Sequence, residues 1–223
     1  MGITLQLKQV NPYLLEKFKK YPDFAGLFLN AKYLEDSPFW QNFIIDPDDP
    51  DDVDWFNEAT NYVNETLDKL SAKNLEQFNE IKEDIPLIIA EGKGIYLDLD
   101  KTWRPIFFLL TGYHVYDETV NLSEIVVSTN KEDNLPLINA VLGGNGISYY
   151  GCDYPLMYLT ADEVRTIANA LSNFSLEQLG QRLKYRGLKE DDYNHLFDYT
   201  YNPLVKYYQD AADKGNAMFL NFG

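Results

Sequence analysis

The 223-residue chain has one cysteine, Cys152, and two histidines, His114 and His195. A lone cysteine excludes an intrachain disulfide and fits a reducing, cytoplasmic compartment. The histidines stand far apart without metal-ligand spacing, so no zinc or other metal site is expected. Basic residues are also scarce. Nineteen Lys and Arg against 35 Asp and Glu give a net charge of −16, which argues against nucleic acid, because phosphate contacts need a concentrated cationic footprint. No apolar run approaches the roughly 18 residues that a membrane span requires. The opening Met-Gly-Ile-Thr-Leu-Gln-Leu lacks the basic region and apolar core of a secretory signal, and Gln6 stands where a myristoylation motif wants Ser or Thr. Gly-x-Ser-x-Gly is missing. No Gly/Ser/Pro-rich linker parts the chain, so the expectation is one domain over residues 1–223.

What is present is a globular composition, 45% apolar and 15% aromatic. Alternation of Ile3, Leu5 and Leu7 with polar neighbours predicts a first strand over residues 3–9. Asn11-Pro12 then predicts a helix start with Leu14, Leu15 and Phe18 inward. Residues 38–54 read as loop, with Pro47 and Pro50 breaking any helix. Beyond it a helix is expected from Val53 to about Leu70, with Trp55, Ala59, Tyr62, Val63 and Leu67 on one buried stripe. A second is expected over about 74–85 with Leu75, Phe78 and Ile81 inward, interrupted by Pro86. The region from about 53 to 90 is thus a helical elaboration.

Further on, residues 124–127 have strand composition, Pro136–Leu142 runs apolar, and Gly143-Gly144-Asn145-Gly146 predicts a turn. Tyr154–Leu159 predicts a strand. Two capping boxes follow, Thr160-Ala161-Asp162-Glu163 and Ser175-Leu176-Glu177-Gln178, each opening a helix. The last long helix is expected over about 203–214, stopped by Gly215, with a closing strand at 217–222. Helices with non-contiguous strands make the fold class α+β: a helix-rich domain around a small mixed or antiparallel sheet.

The most distinctive stretch is Asp98-Leu99-Asp100-Lys101-Thr102-Trp103-Arg104-Pro105-Ile106-Phe107-Phe108-Leu109-Leu110-Thr111-Gly112. Its Asp-Lys-x-Trp, apolar run and Leu-Leu-Thr-Gly resemble the signature of the YfbM-like bacterial domains of unknown function. Four further segments resemble the same pattern in the same order: the Met-Gly opening with its strand, Leu137–Gly144, Tyr158–Val164 and Tyr207–Met218. The resemblance implies a compact α+β bacterial domain and carries over no activity and no catalytic residue. Members often have a histidine shortly after Asp-Lys-x-Trp, where this chain has Arg104 and then Phe107.

Asp98 and Asp100 fall on one face of a strand with Lys101 beside them, an arrangement able to tune a carboxylate. A candidate pocket is therefore Asp98, Asp100, Lys101, Trp103, Thr111, Gly143 and Gly144. The structural reading of the same residues makes Asp100 a helix cap, Trp103 core and Gly112 a helix stop. Six aspartates among residues 46–54 offer oxygen ligands, but Pro50 would occupy the fifth position of an EF-hand begun at Asp46. The glycine cluster matches neither a Walker A nor a dinucleotide fingerprint. Cys152 reads as a packed thiol. No cofactor is expected. Acidity, seventeen tyrosines and missing catalytic motifs favour a non-catalytic module that binds a basic protein, such as an immunity-type partner of a basic toxin. An enzyme or small-molecule binder using the Asp100, Lys101 and Trp103 cleft is the alternative.

Overall fold

Strand β1 (Leu5–Val10) places Leu5, Leu7 and Val10 in the core and is the second strand of an antiparallel sheet ordered β2 (Tyr96–Asp100), β1, β7 (Ala217–Phe222), β6 (Leu156–Leu159) and β5 (Asn145–Ile147). The computed structural model describes residues 2–73, 75–115, 125–149, 154–185 and 194–223. The chain divides into two compact units, one of residues 1–12, 96–147 and 153–223 and another of residues 13–95 and 148–152. The fold is α+β.

In the sheet unit, β2 (Tyr96–Asp100) pairs with β1, and the register slips between Leu5↔Asp100 and Gln6↔Asp98, leaving Leu99 as the bulged residue. Helix α6 (Trp103–Thr111) follows β2, then β3 (Val127–Thr129) and β4 (Pro136–Ile138) form a separate two-stranded ribbon. Of the predicted strand at 124–127, Glu124 lies outside the described residues, and the strand begins at Val127. Of the predicted glycine turn, Gly143 and Gly144 form the turn, whereas Asn145 and Gly146 already belong to β5 (Asn145–Ile147). The reason is spatial: a Cβ on Gly144, at φ +113°, would sit 2.1 Å from the Tyr158 carbonyl oxygen of β6 (Leu156–Leu159), so only glycine lets the turn run this close to its partner strand.

Both capping boxes form. Thr160 and Glu163 satisfy each other's backbone donors at the start of α7 (Ala161–Asn173), and Ser175 and Gln178 do so at the start of α8 (Leu176–Tyr185). Helix α9 (Asn194–Leu196) passes through a π-helical turn, Phe197–Tyr201, into α10 (Asn202–Lys214). Gly215, at φ +68°, ends α10 and the chain enters β7 (Ala217–Phe222), the central strand between β1 and β6. Its residues Ala217–Leu220 are all buried, the pattern of a strand covered on both faces rather than alternating. The core gathers around α6, α7, α10 and this sheet, including Trp103, Phe107, Ile167, Leu204 and Leu220. Tyr208 is fully buried and its hydroxyl donates to the Ala140 carbonyl at 2.6 Å.

The other unit is helical. Helix α1 (Pro12–Lys20) buries Leu14, Leu15 and Phe18 as predicted. Helix α2 (Asp23–Asn30) has six consecutive buried residues, Phe24–Leu29, and such an unbroken apolar run shows no helical period to read. Gly92, the last residue of α5 (Ile85–Gly92), lies against α2, where a Cβ would meet the Phe28 carbonyl oxygen at 2.4 Å.

Three expectations for this region are corrected. Helix α3 runs Pro50–Lys73, so Pro50 opens it instead of barring it, its missing donor being harmless in the first turn. Of the predicted α3 stripe only Val63 is buried, while Trp55 and Tyr62 are 39% and 48% exposed. Helix α4 (Leu75–Ile81) ends short of the expected 85 and buries Ile81 but leaves Leu75 65% exposed, and the next helix, α5, begins at Ile85 with Pro86 in its first turn.

Candidate functional site: an acidic aromatic face on the helical unit

The sequence-predicted pocket residues lie in the sheet unit, where several have structural work. The Asp98 carboxylate accepts from Gln6 Nε2 at 3.0 Å and from the Asp100 backbone N–H at 2.8 Å. That second bond holds Asp100 at φ +43°, in the left-handed region, which aspartate tolerates better than most residues. Asp100 is not the helix cap. Thr102 holds the N-cap position of α6, and its hydroxyl bonds back to the Leu99 carbonyl. Lys101 is exposed, its stem against Gly2.

Trp103 is buried, donates Nε1–H to the Ile3 carbonyl at 2.9 Å and meets Phe222 edge-on at 5.4 Å between centroids. Thr111 closes α6, about 12 Å from Trp103 at the α-helical rise. It is fully buried, donating to the Phe107 carbonyl at 2.7 Å and accepting from Tyr113 N–H at 3.1 Å. Gly112 stops the helix as predicted, at φ +80°. Gly143 lies over Asn139, whose Nδ2 would be 2.8 Å from an added Cβ. The structure therefore groups Asp98, Asp100 and Lys101 at the end of β2, and sets Thr111 at the far end of α6. Cys152 lies outside the described residues.

On the helical unit the residues skipped as loop form an aromatic cluster. Ser37 caps a short 3₁₀ turn, Pro38–Asn42, by accepting from Phe39 N–H at 3.3 Å. This turn presents Trp40, whose indole N–H is shared between the Tyr33 and Leu34 carbonyls at 3.2 and 3.1 Å. Around Trp40 the rings interlock: Phe39 at 4.8 Å, Trp55 at 5.0 Å and Phe56 at 4.7 Å, all strongly inclined, the offset and edge geometry that aromatic quadrupoles favour. Phe43 adds a ring 5.4 Å from Trp55 and 4.6 Å from Phe39. The outer edge of the cluster is open: Phe43 is 42% exposed and Ile44 is 96% exposed.

The six aspartates begin two residues beyond Ile44. Several do local work: Asp46 accepts from Asp48 N–H at 2.9 Å, Asp49 accepts from Asp51 N–H at 3.0 Å and so caps α3, and Asp52 accepts from Asp46 N–H at 3.1 Å. Each serves one backbone donor, leaving its remaining lone pairs for water or a partner. Their charge also lies at the positive end of the α3 dipole, which stabilises the helix start. Among the described residues no group of three or more His, Cys, Asp or Glu is arranged to hold a metal ion. The face thus juxtaposes exposed apolar rings with a dense, hydrated negative charge, a combination that stabilises arginine and lysine by both carboxylate pairing and cation–π contact.

Trp40, Phe43 and Ile44 were missed because a loop assignment hides packing. The available signal was Phe39-Trp40 followed by Phe43-Ile44, four large apolar residues in a segment assigned to solvent.

One family model matches residues 1–220. The chain belongs to the family described as Domain of unknown function (DUF1877). Membership covers both units, including the aromatic face and the sheet. No curated protein and no solved structure matches the chain. Among the described residues no helix is long and apolar enough to cross a membrane.

Proposed function

We propose that this family member is a non-catalytic, cytoplasmic binding module whose partner is a basic protein surface, in the way an immunity-type protein binds a basic toxin. The YfbM-like resemblance of residues 98–112 belongs to the same reading, since it brings no catalytic residue with it. The observation that carries the proposal is the exposure of Phe43, Ile44 and Trp55 at 42%, 96% and 39% beside six aspartates. Exposed carboxylates steer a cationic partner and set the dependence of its on-rate on salt, while desolvated aromatic anchors supply most of the affinity.

The test uses a labelled amphipathic peptide in which lysines and arginines alternate with apolar residues, and a glutamate-substituted control peptide. The basic peptide binds and changes tryptophan fluorescence, and the acidic one does not. Replacing Phe43→Ser and Ile44→Ser together weakens binding by about tenfold, as expected when roughly 1.4 kcal/mol of apolar contact is lost. Replacing Asp48→Asn and Asp54→Asn instead flattens the salt dependence. Equal affinity of wild type and the Phe43/Ile44 variant for the basic peptide would overturn the proposal.

A further inference from the structure

A concavity lies on the helical unit, between α2 and α3. It is an open groove of about 810 Å³, within the range of small-molecule sites. Gly26 and Asn30 line it from α2, one turn apart on the same face, and Tyr62, Thr66, Lys69 and Lys73 line it from α3, with Tyr149 completing the wall. A recess of about 280 Å³ continues past it and shares Asp23, Leu70 and Lys73.

Three observations define what this groove suits. First, it brings two ammonium groups, Lys69 and Lys73, to one place beside a single lining acid, Asp23, in a protein of net charge −16. Second, both ammonium groups are positioned. Lys73 reaches from α3 to Asp23 of α2 at 2.8 Å, and Lys69 is held by Glu65 one turn back at 3.1 Å. Both lysine side chains reach solvent, and the Lys69–Glu65 pair is exposed on both sides and therefore weak, so an incoming anion can exchange with it. Third, the groove offers rings. The Tyr149 ring packs onto Gly26, where an added Cβ would meet Cε2 at 3.2 Å and Cδ2 at 3.3 Å, and Tyr62 is 48% exposed. Tyrosine rings present flat apolar area at low entropic cost.

We propose that the α2–α3 groove binds a small, flat organic anion, with its ring against Tyr62 and Tyr149 and its anionic group on Lys69 and Lys73. Thr66 and Asn30 supply neutral polar groups within the same walls, suited to a substituent on the ring. A carboxylate and a phosphate share the required chemistry. This inference is independent of the basic-partner reading, which uses Phe43, Ile44 and the aspartates.

The test is calorimetric titration of the full chain with naphthalene carboxylate, with the uncharged naphthalene methanol, and with adenosine monophosphate. The carboxylate binds, and the alcohol binds about tenfold or more weaker, the loss expected from a charge-assisted contact. The monophosphate arm decides between carboxylate and phosphate: tighter binding than the carboxylate assigns the site to phosphate. Lys69→Gln with Lys73→Gln lowers affinity for the preferred anion by about tenfold or more, whereas Lys101→Gln leaves it unchanged. Basic-peptide binding by the double variant verifies that it is folded, as does unchanged circular dichroism. The proposal is overturned if neither anion binds, if the alcohol binds as tightly as the carboxylate, or if the folded double variant binds like the wild type.

Discussion

Arg182 of α8 and Asp133 of the β3–β4 connection form a two-point ion pair inside the sheet unit, Nε to Oδ2 at 2.8 Å and Nη2 to Oδ1 at 3.2 Å, with side chains only 1% and 7% exposed. The guanidinium also donates to the carbonyls of Leu109 and Pro136 at 2.8 and 2.9 Å. One side chain thereby ties together α8, the end of α6 and the start of β4. A buried pair of this kind contributes little net stability over an apolar replacement, but losing one partner strands the other. Arg182→Met is expected to destabilise the protein by about 3–5 kcal/mol, and Asp133→Asn to be similarly harmful. The double variant should cost clearly less than the sum of the two singles, read from urea denaturation of all four proteins.

The glycines with positive φ form a graded series. Gly215 has nothing within 4 Å of an added Cβ, so Gly215→Ala should cost only the backbone strain of about 1–2 kcal/mol. Gly112 carries the same strain, and its Cβ would also lie 2.3 Å from Asn130 Nδ2, an amide that donates to the Thr111 carbonyl at 2.7 Å. Gly144 faces the backbone oxygen of Tyr158 at 2.1 Å. Thermal denaturation should therefore rank alanine substitutions from Gly215, mildest, through Gly112 to Gly144, most damaging. A Gly215→Ala variant less stable than Gly144→Ala would contradict the geometry.

The helical unit should loosen in acid. Burial works against ionisation of Asp84, but the hydrogen bonds from Lys17 and from Tyr13, at 2.9 and 2.6 Å, outweigh it and hold the carboxyl below its ordinary value. Tyr21 and Lys20 lower Glu80 in the same way. A carboxyl whose folded pKa is depressed stabilises the fold above its unfolded value of about 4, and that contribution disappears as pH falls through the lower folded value. Hydrogen exchange in α1 should accelerate as pH drops below about 4, after correction for intrinsic rates. Asp84→Asn should weaken α1 at neutral pH and reduce that acid response.

Tyr208→Phe removes one hydroxyl and leaves the Ala140 carbonyl without its donor in a fully buried place. The expected loss is about 1–3 kcal/mol. The same change at Tyr199, which is 72% exposed, should be nearly neutral in the same denaturation assay.

How much of this was legible in the residues depends on the range of the forces involved. Capping boxes, helix stops and amphipathic stripes are encoded within a few residues, so α7, α8, α10 and the Gly112 and Gly215 stops could be read directly. The placement of β7 in the centre of the sheet could not, because pairing with β1 joins Leu5 to Phe222 and leaves no local mark. Trp55 and Tyr62 had the spacing of a buried stripe, yet α3 buries only Val63 of it. Periodicity locates a face without saying what covers it. Arg182 carries no local mark of its burial, because its partner Asp133 lies 49 residues earlier in the chain. Asp100 had the residue type of a cap, but the positive φ after the Leu99 bulge moved the helix start two residues on.

Lys8 of β1 stands opposite Tyr96 of β2, so the chain between them leaves and returns through neighbouring positions of one antiparallel hairpin. Backbones paired in this way are about 5 Å apart, a gap that a two-residue turn also spans. The whole run from Tyr13 to Ile95 thus occupies the place of a hairpin loop. A change in the length of that run is expected to leave the β1–β2 register in place. Differences between relatives are therefore expected to accumulate in that loop, and the sheet to change slowly.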